Sequence, residues 1–278
     1  MLDPTILVKL LGLLGLALPI FGTYATRTHV APGDVGTAND QNQGMDNEEA
    51  LKAGLQPLQV TFIFDGGGTT LTPGVTLSTP YKMPALTITT WEIEEISDTV
   101  VTASYVSVHV AKDSYANYPP TLSDAMVGIG HTKPNLNNVA KNKSDTPDWT
   151  TLALAVDDVL KLKLGGVEGG IAFTGTGLND MTLGAQNCPS DAANRDYRVK
   201  IDGTGSPNTF KWCRNGATET WVASTVAITG AEQVLENGVY VKFGATTGHT
   251  LNDYWQWAMT AVAGAKIVAV TIKGNRAV

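Results

Sequence analysis

The sequence predicts an all-β protein, a β-sandwich or jelly roll accompanied by a second all-β domain, and three observations predict it. Thr and Gly, 35 and 29 residues, make up almost a quarter of the 278-residue chain. Thr is β-branched and suits a half-wet pleated surface, while Gly supplies the positive-φ corners of turns. Short alternating runs recur at close spacing with no strong helical pattern between them. Charged residues are only 16 % of the chain against 43 % hydrophobic, so there is apolar surface enough for a core. Length suggests about two domains. The net charge of -7 argues against a nucleic-acid partner, which needs clustered Lys and Arg.

The N-terminus departs from this pattern. From Ile6 the chain reads ILVKLLGLLGLALPIFGTYA, with Lys9 as its one charge and with Pro19 and Gly22 placed to bend or end a helix. Apolar residues fall on every side of the helical wheel, which excludes an amphipathic surface helix. A secretory signal fits the apolar run but not the n-region, where Asp3 stands and a cation is expected. A membrane anchor fits a span of about 20 residues. A helix buried between protein chains fits equally. We expect residues 1–28 to form an anchoring apolar helix, held in lipid or protein through Ile6, Leu10, Leu13, Leu14 and Phe21.

Residues 29–57 are polar and turn-rich and read as a linker, with one short helix around Asn47 to Ala53. Gln59 to Phe64 alternates and runs into Asp65-Gly66-Gly67-Gly68, a strand entering a glycine turn. Strands are expected at Val75 to Pro80, Ala85 to Ile93, Thr99 to Val110, Thr150 to Leu154 and Val159 to Leu164, with Asp157-Asp158 as the turn before the last. Lys112 to Ser144, with Pro119, Pro120, Pro134 and several Asn, reads as one long loop. Beyond Ile171 five strands are expected, at Tyr197 to Ile201, Thr209 to Cys213, Trp221 to Ile228, Gly238 to Phe243 and Tyr254 to Ala261. Asn-Gly at 215–216 and 237–238 supplies turns. Lys266 to Lys273 is the most β-branched run in the chain. Its set Val268, Val270 and Ile272 is wholly apolar and should face a core.

Two stretches resemble modules of tailed-bacteriophage virion structural proteins, of the tail-fibre, head-fibre and decoration type. The first, residues 64–164, is similar to a jelly-roll-like domain through DGGGTTLTPG (65–74), VHVAKDSYANYPPT (108–121), KPNLNNVAKNKS (133–144) and DWTTLALAVDDVLKLKL (148–164). The second, residues 171–261, resembles an associated all-β module through YRVKIDGTGSPNTFKWCRNG (197–216), ITGAEQVLENGVYVKF (228–243) and ATTGHTLNDYWQWA (245–258). Neither carries a catalytic motif. The resemblance implies that KIVAVTIK closes the first domain, although about a hundred residues separate it from DVLKLKL. We therefore expect a jelly-roll-like domain over 58–166 and 264–278, with a second domain over 167–263 inserted before its last strand. Gly165-Gly166 and Gly264 are the expected hinges.

Chemistry is sparse. Glu92 and Glu94 share one face of a strand at a spacing compatible with glycoside hydrolysis, but no partner motif accompanies them and a solvated face is the simpler reading. His249 and Asp253 flank a turn without a nucleophile element. The four histidines lack metal-ligand spacing, and the glycine cluster lacks the lysine of a phosphate loop. No cofactor, metal or enzymatic activity is expected. Cys188 and Cys213 are read as free, buried thiols. Trp91, Trp149 and Trp212 are expected in cores. Tyr115 and Tyr118, in the Pro-rich loop, are the candidate contacts for a glycan or a partner.

The expectation is a virion protein: an outward-displayed fibre, spike or decoration component, contacting coat, portal or tail subunits and binding a host-surface glycan. It should be a homo-oligomer, a trimer by resemblance to fibres. The rivals are a capsid-cementing protein of mechanical role, a glycan-degrading spike, whose repetitive β-helix is not visible here, and a membrane-anchored bacterial adhesin.

Overall fold

The computed structural model describes residues 57–79, 82–97 and 104–276. The expected N-terminal helix, with Ile6, Leu10, Leu13, Leu14 and Phe21, lies outside them, as does the helix expected around residues 47–53. The described residues form antiparallel β-sheets with two single-turn 3-10 helices, Tyr115–Asn117 and Leu122–Asp124.

Two sheets enclose the first core. One contains β1 (Pro57–Asp65), β3 (Leu86–Glu95), β6 (Lys141–Ser144), β7 (Ala153–Leu154) and the last strand of the chain, β18 (Ile267–Arg276), in the order β1-β18-β3-β6, with β7 also beside β3. The other contains β2 (Thr76–Ser78), β4 (Tyr105–Ser114), β5 (Asn135–Asn137) and β8 (Asp158–Gly165) in the order β2-β8-β4-β5. Period-two alternation sends Val106, Val108 and Val110 inward from β4 and Leu160, Leu162 and Leu164 inward from β8, where they meet Phe62, Phe64 and Trp91. Val268, Val270 and Ile272 complete this core. In β3, Leu86 and Ile88 point inward, then Trp91 and Ile93 do so after a one-residue slip opposite Lys273/Gly274. Such a bulge lets one strand change its period and still bury both halves.

Strand β18 runs in register with β1 on one side, Phe64 opposite Val268, and with β3 on the other, Ile93 opposite Val270. The long separation in sequence is bridged by a second pair of sheets. These hold β9 (Val167–Glu168), β10 (Ala172–Thr174), β12 (Arg195–Gly203), β13 (Thr209–Cys213), β14 (Trp221–Ala227) and β17 (Tyr254–Thr260) in one, and β11 (Met181–Leu183), β15 (Gln233–Glu236) and β16 (Val239–Phe243) in the other. Tyr197, Val199, Ile201, Trp255 and Trp257 from the larger sheet pack on Val239, Val241 and Phe243 from the smaller. The rings meet offset or edge-on, Tyr197 to Trp257 at 5.4 Å and Phe243 to Trp255 at 5.4 Å, as their quadrupoles favour. Asn237-Gly238 joins β15 to β16 with both φ angles positive, 42° and 78°, the conformation that a two-residue hairpin loop needs.

Three expectations change. Lys112 to Ser144 is not one loop: it contains the end of β4, both 3-10 turns, β5 and β6. NLN and KNKS carry no β-branched residue, so nothing local announces them; ladder bonds to β4 and β3 hold them. Likewise the short strands β10, β11 and β15 add to the five expected beyond Ile171, and β9 lies just before it. Gly165 and Gly166 are not loose hinges. A Cβ on Gly165 would lie 2.9 Å from Cys188 Sγ, and one on Gly166 would lie 2.5 Å from Thr260 O. Gly166 N also donates to Pro189 O at 2.8 Å. Here glycine permits close approach of two backbones.

Trp91, Trp149 and Trp212 are buried, and both cysteines are free and buried.

Candidate functional site

Tyr115 and Tyr118 stand together on the surface. Tyr115 N donates to Asp157 O at 2.9 Å, and Tyr118 N closes the 3-10 turn on Tyr115 O. Lys161 Nζ, bonded to Pro120 O at 2.8 Å, holds the following loop against β8. The two rings lie 6.1 Å apart, inclined at 34°, and are 51 % and 52 % exposed. Lys82 links the Tyr115 ring to the neighbouring turn, with Nζ 5.2 Å from the ring centre and 3.1 Å from Asp157. Val156, on the same turn, is exposed as well. The result is an aromatic platform with a cation and a carboxylate at its side, a surface suited to a flat, partly apolar contact.

The strand register places this platform. Ser114 pairs with Asp158 at the start of β8, and Met83 N bonds to Asp158 O just before β3 begins. Leu86 at that start pairs with Arg276, and Pro57 with Asn275. The chain thus enters β1 at the same end of the sandwich as Tyr115 and Tyr118. The second unit leaves after Gly165 and returns at Ala263, opposite Tyr105, at the other end, about 23 Å away at ~3.3 Å per residue of strand.

A second polar and aromatic face lies on the outer side of the β12–β13–β14–β17 sheet. Lys211 Nζ stands 4.2 Å from the Trp221 ring and the Arg198 guanidinium 4.4 Å from that of Tyr254. Between the rings, Arg198 donates to Glu219 at 2.5 Å and to Gln256 at 2.6 and 3.0 Å, while Lys200 approaches Glu219 at 3.6 Å. Burial pushes the Glu219 carboxyl up, but its bond to Arg198 and the charges of Lys200, Arg198 and Lys211 outweigh it and hold the group below the usual range. Gln256 also donates to Asp196 at 2.6 Å. The sequence does not single out this pattern, because Arg198, Lys200, Lys211, Trp221 and Tyr254 gather only when four strands pair. The alternation of YRVKI and TFKWC was the available signal.

Where the two units meet, the outer face of β4 and β8 is covered. His109, 1 % exposed, sits beside Lys163 in register. Burial, reinforced by the charges of Lys133 and Lys163, pushes its pKa down to about 3. Lys133 lies 3.6 Å from Glu168 and donates to Asn187 O, and Asn187 donates to Glu168 at 2.5 Å. Beside them opens a polar cleft of about 220 Å³ lined by Ser107, Lys133, Asn135 and Glu168. Burial pushes the Cys188 thiol up to about 11.

The remaining sequence candidates separate. Glu92 is ion-paired with Lys273 at 2.6 Å, and Glu94 is exposed. His249 is not paired with Asp253. Its ring nitrogens contact Asp180 at 2.9 Å and Asn208 at 3.0 Å, edge-on to Phe243, whereas Asp253 accepts backbone N–H bonds from Thr176, Gly177 and Thr250. Among the described residues no group of three or more His, Cys, Asp or Glu is placed to hold a metal ion.

No family model matches the chain, and no curated protein matches it. Among solved structures, it aligns with the T=1 particles derived from infectious bursal virus at 11 % identity, over 80 % of this chain and 41 % of that one, with a TM-score of 0.23. The Gx strain of infectious bursal disease virus gives 11 % identity, 79 % and 40 % coverage and a TM-score of 0.23. The major capsid protein of bacteriophage PM2 gives 11 %, 79 %, 98 % and 0.17. The chain spans about two fifths of the bursal virus chains it aligns with. At TM-scores this low the likenesses carry no argument about what the chain does.

Proposed function

We propose that this chain is a non-catalytic structural protein of a virion, a fibre, spike or decoration component that carries its second unit outward. The class comes from the resemblance of residues 64–164 and 171–261 to bacteriophage virion modules. The observation that carries the display role is the polarity of the first unit: the chain enters at the Tyr115–Tyr118 end, and residues 167–263 emerge at the opposite end. The order β1-β18-β3-β6 facing β2-β8-β4-β5 supports reading the first unit as an eight-stranded jelly roll, with the second unit inserted before its last strand. With residues 1–28 as anchor, Tyr115 and Tyr118 face coat, portal or tail subunits. Contact with a host-surface glycan then falls to the outward face holding Trp221 and Tyr254. The working unit is a homo-oligomer gathered through residues 6–21.

The test is incorporation into particles. Deleting residues 1–28 should leave folded β-units that no longer join the particle; incorporation at normal copy number overturns the anchor. Many copies per particle would favour the capsid-cementing role, and few a tail or vertex appendage. Tyr115→Ala with Tyr118→Ala should lower incorporation, and Trp221→Ala with Tyr254→Ala should lower binding to host polysaccharide. The opposite assignment of these two effects overturns the polarity. Glu92→Ala, Glu94→Ala, His249→Ala and Asp253→Ala should remove no turnover; polysaccharide hydrolysis abolished by one of them overturns the non-catalytic reading.

A further inference from the structure

Among the described residues each of the four sheets has open edges, and all but one are blunted. Strands β2, β5, β7, β9, β10, β11 and β15 are two to four residues long. β6 carries Lys141 and Lys143, and β14 is broken by two register shifts and by Thr225 at a φ of 56°. Short length, lysines and bulges are the devices that keep an edge from pairing with another chain. β1 has none of them. It is nine residues long, pairs with β18 without a register shift, and is uncharged from Pro57 to Phe64. Among the described residues nothing bonds to its other edge, and Ile63 beside that edge is 48 % exposed.

We infer that the free edge of β1 is an assembly surface and that its occupant is β1 of a second copy of this chain. A second β1 matches this edge in length and, like it, has no charge from Pro57 to Phe64 and no register break. Antiparallel pairing over the full length centres on Thr61, sets Gln59 opposite Ile63 of the second copy, and keeps the two Asp65 carboxylates at opposite ends. No like charges meet, and backbone N–H and C=O groups left open in one copy are satisfied by the other. The contact is isologous and closes at two copies, where the resemblance to fibres implies three. It does not depend on the virion reading.

The experiment uses the full chain carrying Thr61→Cys. Directly opposed residues in such a pair have Cα atoms about 4.5–5.5 Å apart, within disulfide range. Cys188 and Cys213 are buried and do not compete. Mild oxidation should give a covalent dimer on a non-reducing gel. Its yield should be at least about tenfold above that of Lys143→Cys on the blunted β6 edge, because pairing raises the effective concentration of the two thiols. Adding Ile63→Lys should return it to the control level, and light scattering on the otherwise unaltered chain with Ile63→Lys should show loss of the two-fold association. Crosslinking at the control level, with a mass unchanged by Ile63→Lys, overturns the inference and leaves any association to residues 6–21.

Discussion

The Lys133 ammonium lies 3.6 Å from the Glu168 carboxylate, and this pair, 12 % and 15 % exposed, ties the second unit to the edge of the first. Burial pushes the Glu168 carboxyl above the usual range, and Lys133 pulls it back. Lys133→Met should therefore leave a buried carboxylate without its cation, at a cost on the order of 3 kcal/mol. Glu168→Gln should cost less, since Lys133 keeps the Asn187 carbonyl. Urea unfolding of the two variants checks the order.

His109 makes the same joint sensitive to acid. Its pKa falls from 6.5 unfolded to about 3 folded, so the unfolded chain takes up the proton first and stability drops as pH falls from 6.5 toward 3. The full effect is roughly 5 kcal/mol at the acid end of that window. Glu168, with a raised pKa, acts in the opposite sense: its contribution is present below its unfolded value and is lost as pH rises through the folded one. The lowered carboxyls of Asp191 and Glu219 contribute stability above their unfolded values of 3.8 and 4.5 that is lost below them. Thermal melts between pH 6.5 and 4.5 should thus show a flatter acid slope for His109→Gln than for the wild type.

Gly238→Ala should be among the costlier single changes at the joint. Its φ of 78° disfavours a side chain, and the new Cβ would stand 2.3 Å from Cys188 O. We expect a loss of about 1–3 kcal/mol. Cys188 reports it: with its thiol pushed up to about 11 and buried, it should react with a disulfide reagent only slowly in the wild type and faster in the variant. Equal rates would show that the glycine does not control this contact.

Tyr115→Ala and Tyr118→Ala should each shift stability by no more than about 0.5 kcal/mol, because both rings are half exposed and support no core. Trp91→Ala, in the first core, should cost about 3–5 kcal/mol. Denaturant midpoints separate the two classes. A large loss at Tyr115 would mean that the platform is a structural brace.

Much of the first unit was legible from local pattern. VHVAKD and DVLKLKL show their buried and outward sets by alternation alone, and Val268, Val270 and Ile272 stood out as an apolar set before any partner was known. The glycine turn at 66–68 was equally plain: Gly67 and Gly68 have positive φ, and Asp65 Oδ1 accepts from Gly67 N at 2.7 Å. The short edge strands were not. NLN, KNKS and the two residues of β9 have no periodicity to detect, because a strand that short is held by its neighbours' backbone bonds and not by its own side chains.

The candidate faces divide in the same way. The sequence pointed to Tyr115 and Tyr118 because Pro and Asn around them mark an exposed loop. It did not show the face of Arg198, Lys200, Lys211, Trp221 and Tyr254, whose members are up to 56 positions apart and become neighbours only through strand pairing. It placed His249 and Asp253 on either side of a turn and did not show that the imidazole's carboxylate partner is Asp180. Asp253 is near in the chain, but its oxygens are drawn to nearby backbone N–H groups, and the imidazole instead reaches Asp180 across the fold.

By itself, then, the sequence determined the β class, the turn positions and which residues of each long strand face inward, because these follow from alternation and backbone preference within a few residues. Tertiary structure decided which strands become neighbours, and with that the ends at which the chain enters and the second unit leaves, the joint holding Lys133, Glu168 and the buried His109, and the edge of β1 that is unblunted among the described residues. These depend on contacts between residues far apart in the chain, where side-chain chemistry permits several partners and only simultaneous burial of the whole core selects one.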